Sequence, residues 1–374
     1  MSTMKMSRLK KRVISFIAPL LLLMLTACSQ KVLQEPLNNT GNQSVRSNIE
    51  NALQTPAKNT TQSEINNMSQ YYIYTANEDE STVSAVNVAT MQTTATIPVG
   101  KAPHNVQATP DRNFVFVVEN KSNTVSAIDS KTNIITKTIK VGEGPNHIAF
   151  SKDSKTAYVT VAEMVETGEM SSSGKKGNVY VLDIASGTVK NKIPVGKMPH
   201  GLRMSPDGKN LYVANSNSND VSVIDLSSNK VIKTIKVGKK PSQVAITPDN
   251  KQVFVTISDE NRVDVIDTST MSVKESISVG KTPVQNYITP DGKFVYVANS
   301  ASNNISVIKT ETLDVAATIA ADSKAHGVAI SKDGRFVFVT NSGTGNVTVV
   351  DAKSNVVTAT VAVGKGPTGI TACD

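Results

Sequence analysis

A repeat of 42 residues constrains this chain more than any other feature. The motif Val-Gly-x-x-Pro recurs with its proline at Pro103, Pro145, Pro199, Pro241, Pro283 and Pro367, and Ala325 holds the remaining place. The interval is 42 residues throughout, apart from one of 54 between Pro145 and Pro199. A fixed period of this size means stacked supersecondary units, in either a solenoid or a propeller.

One unit shows which. After Pro199, strand-like runs at 200–204, 210–214, 221–225 and 231–237 alternate with turn residues. Ser205-Pro206-Asp207-Gly208 separates the first two, with proline and glycine where a type I turn favours them. The second run, Leu211-Tyr212-Val213-Ala214 here and Phe336-Val337-Phe338-Val339 later, is continuously apolar, which implies burial on both faces. The last run mixes Lys233 and Lys236 with Val231, Ile232 and Ile235, as an outer strand does. Four antiparallel strands in a unit of roughly 40 residues make a propeller blade.

The apolar second run appears seven times, beginning at Tyr72, Phe114, Ala157, Leu211, Val253, Phe294 and Phe336. The first copy has no inner run before it, and the final inner run, 368–372, has no second run after it. The expectation is an all-β, seven-bladed β-propeller over 71–374, with blade 1 closed by the C-terminal strand. That closure removes two open sheet edges.

The units Tyr212-Val213-Ala214-Asn215, Val221-Ser222-Val223-Ile224-Asp225 and Ile235-Lys236-Val237-Gly238 resemble the YVTN family of β-propeller repeats, which includes YncE-like proteins. The resemblance spans about 71–374 and implies the propeller fold. It says little of function, because one fold serves many. A WD40 propeller is disfavoured, since no Trp-Asp pair exists without Trp.

The N-terminus reads differently. Lys5, Arg8, Lys10, Lys11 and Arg12 precede the mostly apolar 13–27, a stretch short of the ~20 residues of a spanning helix. Leu25-Thr26-Ala27-Cys28 resembles the bacterial lipobox. The resemblance implies a signal peptide at 1–27, acylation of Cys28 and an extracytoplasmic protein on a bacterial membrane, at the cell surface or the periplasmic face. Residues 28–70, with Cys28 at their head, are polar and lack a sustained apolar period, which reads as a disordered linker. Five of the eight net positive charges sit in the signal segment. The remaining +3 is no polyanion-binding signature in itself. Cys373, aligned with Pro or Lys of other repeats, is expected in a surface turn, with no disulfide partner once Cys28 is modified.

Strand order puts the Val-Gly-x-x-Pro connections on one face, where ligands of propellers commonly bind, and the Ser-Pro-Asp-Gly turns on the other. All four histidines, His104, His147, His200 and His326, follow the Pro position within two residues. They read either as a cluster at the channel mouth for a metal or an anion, or as polar residues tolerated at solvated strand starts. The 54-residue interval reflects a 12-residue insertion between the second and third strands of blade 3. This loop, 163–177, carries Glu163, Met164, Glu166, Glu169, Met170, Lys175 and Lys176 and is a candidate partner loop. Lys239, Lys240 and Lys281 lie on the same face and are candidates for polyanion binding. The aspartates that end third strands and those in the Ser-Pro-Asp-Gly turns recur in blade after blade, as turn caps do.

No Gly-x-Ser-x-Gly, His-Glu-x-x-His or Cys-x-x-Cys is present, and 168–176 fails the Walker A pattern. No cofactor is called for. The expectation is a monomeric, non-catalytic binding or scaffold module, recognising an unknown protein or polymeric ligand through its loop face. The alternatives are single-stranded DNA or polyanion binding, implied by the YncE-like resemblance, and a metal- or cofactor-dependent enzyme at the channel mouth.

Overall fold

The structure, a computed structural model, describes residues 71–163 and 176–373. Cys28 and the proposed signal and linker segments lie outside the described residues.

Seven four-stranded antiparallel sheets form the propeller. In blade 4 the strands run Pro199–Met204, Asn210–Asn215, Asp220–Asp225 and Lys230–Lys236 in spatial order. The first strand of each blade packs on those of its neighbours around the axis. Blade 1 takes its inner strand, Pro367–Cys373, from the end of the chain. That strand pairs antiparallel with Tyr72–Asn77, in the register Tyr72↔Cys373 and Thr75↔Ile370. The ring therefore closes as the repeat count requires.

The interfaces between blades are the core. Tyr212, Val221 and Val223 of blade 4 meet Val244, Val253 and Val255 of blade 5, all of them buried. Each such side chain contributes roughly 1.5–3 kcal/mol when fully withdrawn from water. Successive residues of a strand point to opposite faces, and both faces are covered, so the second strand is apolar without alternation. Outer strands bury little: Ile235 is 3% exposed, whereas Ile232 is 54% exposed.

The turns behave as their residues dictate. Ser205 Oγ donates to Asp207 Oδ1 (2.6 Å) and accepts from the Asn210 amide (2.9 Å), and Gly208 takes a φ of +77°. At the strand-end turns, Asp225 accepts from the hydroxyls of Ser227 and Ser228, which hold its carboxyl down at about 2.

Cys373 departs from expectation. It occupies the register of Thr109, Ser205, Thr247, Thr289 and Ser331, one place before the Pro or Lys of the turn. Its side chain is buried at the end of the inner strand, with Sγ 3.7 Å from the Arg112 carbonyl. It lines the sheet because closure converts the chain terminus into a core strand.

Candidate functional site

The inner strands converge on the axis, and their early positions decide what meets there. His104, His200 and His326 take the second place of Pro103–Ala108, Pro199–Met204 and Ala325–Ile330. His147 takes the third place of Pro145–Phe150.

Close approach of these strands depends on glycine. A Cβ on Gly201 would stand 2.1 Å from Gln243 Oε1 and 2.6 Å from the Ser242 carbonyl. One on Gly327 would stand 2.2 Å from the Thr368 carbonyl, and one on Gly369 would stand 2.8 Å from that of His104. These glycines each follow the second-place residue and let neighbouring backbones close up beneath the rings.

Threonine ties the strands together. Inner strands are irregular between their first and fourth residues, which frees an amide from the ladder. In blade 3, Thr160 Oγ1 accepts that amide from His147 (3.0 Å) and donates to the His200 carbonyl of blade 4 (2.7 Å). Thr256 links Gln243 to Val284 in the same way, and Thr340 links Gly327 to Thr368. One buried hydroxyl thus fixes the backbone of two histidines in adjacent blades.

The four rings meet. Their centroids lie 5.5 Å apart for His104–His147, 5.4 Å for His104–His200, 5.9 Å for His104–His326 and 4.5 Å for His147–His200. One ligand nitrogen from each of His104, His147 and His200 falls within a mutual 4.8 Å.

Three of the rings have one nitrogen held from outside the cluster. His104 Nδ1 lies 3.2 Å from the Glu78 carboxylate, and His200 Nδ1 lies 3.0 Å from the Ser242 carbonyl. His147 Nε2 lies 3.3 Å from the Gln285 amide nitrogen, and the amide turned over would instead accept a ring N–H there. The other nitrogens of two of these rings, His104 Nε2 and His147 Nδ1, are buried without a hydrogen-bond partner, as is His326 Nδ1.

Burial, reinforced by the neighbouring imidazoles, holds His147 well below the usual histidine value. The same causes lower His200 to about 3 and His326 to about 4. The hydrogen bond from His104 leads the effects that lower Glu78. His147, His200 and His326 are therefore neutral at pH 7, with lone pairs to offer. Deeper on the axis, His147, Asn105, Gln243, Gln285 and Arg203 line a chamber of about 10 Å³, the space of one water.

The sequence brought the four histidines to one face, and the structure adds that they touch. His147 is buried, at 2% exposed, whereas His104, His200 and His326 are half-buried at their strand starts. Lys239, Lys240 and Lys281 are exposed on the connecting loops. Carboxylates accompany them, with Asp259 3.7 Å from Lys240 Nζ and Glu260 accepting the Lys239 amide.

In the insertion, Glu163 accepts hydrogen bonds from Tyr180 and Asn178, and Lys176 is exposed. Met164, Glu166, Glu169, Met170 and Lys175 lie outside the described residues. Glu78, Thr160, Gln285 and the three glycines were not singled out from sequence. A signal existed in the His-Gly pair, present in the same register at His200-Gly201 and His326-Gly327.

A closed seven-bladed ring with an axial histidine cluster defines the class: a propeller whose inner strands carry the site. The chain belongs to the YNCE-like beta-propeller family, which it matches over residues 54–374. No curated protein matches the sequence.

Among solved structures, hydrazine synthase of Kuenenia stuttgartiensis is similar at 25% identity and a TM-score of 0.64, over 72% of this chain and 89% of that one. A functionally unknown protein from Desulfotomaculum acetoxidans aligns at 16% identity and a TM-score of 0.70, over 81% and 98% of the two chains. The dihydro-heme d1 dehydrogenase NirN aligns at 14% identity and a TM-score of 0.60, over 85% and 78%. The last two similarities speak for the fold alone.

Proposed function

We propose that this protein is a metal-binding β-propeller of the bacterial envelope, holding one transition-metal ion through His104, His147 and His200, with His326 beside them. One observation carries the reading: His104, His147 and His200 are each secured by an outer partner at one nitrogen, and the other nitrogen of His104 and of His147 is buried with nothing to bind. That division of labour is characteristic of metal-ligating histidine. An all-imidazole set suits copper or zinc. Tetrahedral bonds of about 2.0–2.1 Å put ligand nitrogens roughly 3.4 Å apart, so the rings draw in by about an ångström on loading. Rings this close leave no room for a macrocycle between them.

The chamber below the cluster admits about one water and no organic substrate, which favours binding over turnover. The lipobox at Cys28 supplies the anchor in this reading. Labelled palmitate that entered Cys28→Ser as readily as the native chain would remove it.

The test of the metal is direct. The purified protein, stripped with chelator and titrated with Cu(II) and Zn(II), should take up one equivalent. His147→Ala and His200→Ala should each weaken uptake by at least about a hundredfold, the scale of losing a ligand outright. Native-like uptake by both variants refutes the site.

A further inference from the structure

The far end of the axis, where the Ser-Pro-Asp-Gly turns lie, opens into a cavity of about 570 Å³. Its wall is built from the last residues of the inner strands and the turns that follow them. Two features distinguish it.

The first is charge. Among the described residues, Arg112, Lys152, Arg203 and Lys332 line it, with no carboxylate. Two of these cations replace the turn proline: Lys152 in blade 3 and Lys332 in blade 7 stand where Pro110, Pro206, Pro248 and Pro290 stand elsewhere. The turn aspartates adjoin the rim but are engaged in their own turns. Asp153 accepts from Ser151 and the Lys155 amide, and Asp207 from Ser205 and the Lys209 amide.

The second is preorganisation. Arg203 of blade 4 reaches past Ala245 of blade 5 to stack on the Tyr287 ring of blade 6, 4.7 Å from its centroid. Among the described residues, Arg203 makes no ion pair. Arg112 is tethered to the Ala372 carbonyl at 2.9 Å. A guanidinium held like that of Arg203 presents forked donors to carboxylate or phosphate oxygens. Phe150, Met204, Tyr287 and Ile330 supply the apolar part of the wall.

We infer that this cavity is a second, separate binding site, for a small organic oligoanion: a molecule with two or more carboxylate or phosphate groups on a flat or branched apolar body. The size limits the occupant to a small molecule, since drug-sized ligands fill cavities of about 300–1,000 Å³. The charge selects an anion, and the Tyr287–Arg203 stack gives its body a surface to lie on. The site does not depend on the axial metal.

Benzene-1,3,5-tricarboxylate serves as the probe, titrated calorimetrically into the native protein with and without chelator. One saturable site is expected, unchanged by chelation and weaker at high salt. Arg203→Gln and Lys152→Gln should each weaken it by about tenfold, one charge-assisted contact. Lys239→Gln, on the other face, should leave it unchanged. Lys152 is exposed, so its variant tests the site without burdening the fold. No saturable binding, or native affinity in both cavity variants, overturns the proposal. So does a single-stranded oligonucleotide that binds equally well to the native protein and to both variants and displaces the probe.

Discussion

Thr160→Val offers the sharpest test of how the fold builds the histidine cluster. Valine matches threonine in shape, so the change removes a hydroxyl and leaves no cavity. Two hydrogen bonds go: the His147 amide onto Thr160 Oγ1 at 3.0 Å, and Thr160 Oγ1 onto the His200 carbonyl at 2.7 Å. Thr160 is wholly buried, so water does not take over either group. An orphaned buried donor or acceptor costs about 1–3 kcal/mol, which puts the total loss of stability from two such groups at roughly 2–6 kcal/mol. Freed backbones at two ligands should also weaken metal uptake by about tenfold, the lower end for a supporting residue.

Thr256→Val is the control. It breaks the same relay between Gln243 and Val284, where no histidine is involved. Urea unfolding should therefore show equal losses in both variants, while metal titration separates them. If both variants, or neither, weaken metal uptake, then threonine relays stabilise the ring without positioning the site, and the reasoning fails.

Other consequences are simpler. Deleting 367–374 strips blade 1 of its inner strand and exposes two edges, so the melting temperature should fall by roughly ten degrees or more, several kcal/mol at ~2–4 °C each. An unchanged melt contradicts the closure. Acid should destabilise the metal-free protein through its histidines. His200 and His326 are held at about 3 and about 4 when folded, against 6.5 unfolded, so below pH 6.5 only the unfolded chain gains the proton. Stability is full above pH 6.5 and drains away as pH falls towards 3. Chelated His326→Gln should show a shallower decline, and an identical pH profile would show that its burial carries no such penalty.

Much of this was legible in the chain because a repeat multiplies weak signals. A single Leu-Tyr-Val-Ala run is ambiguous between a strand and a buried helix segment, whereas seven in a constant register are not. Counting second strands against inner strands even revealed the shared blade. Cys373 was misplaced because alignment at the chain end slipped by one residue, and a one-residue slip turns a buried position into a turn.

The histidines were visible as a pattern, yet the sequence left open whether they meet. Strand register puts a residue on the axis, but the distance across it depends on how closely seven backbones approach. Gly201, Gly327 and Gly369 set that spacing through contacts with the next blade, while Glu78 reaches His104 from the adjacent blade and Gln285 reaches His147 from 138 positions away.

The sequence by itself determined the number of blades, the four strands of each, the turn chemistry and the route of closure, since these follow from local periodicity repeated 42 residues apart. Only the tertiary structure decided that four imidazoles meet on the axis, and that cations gather at its other end. Both are products of ring geometry, which brings together residues separated by 264 positions and more.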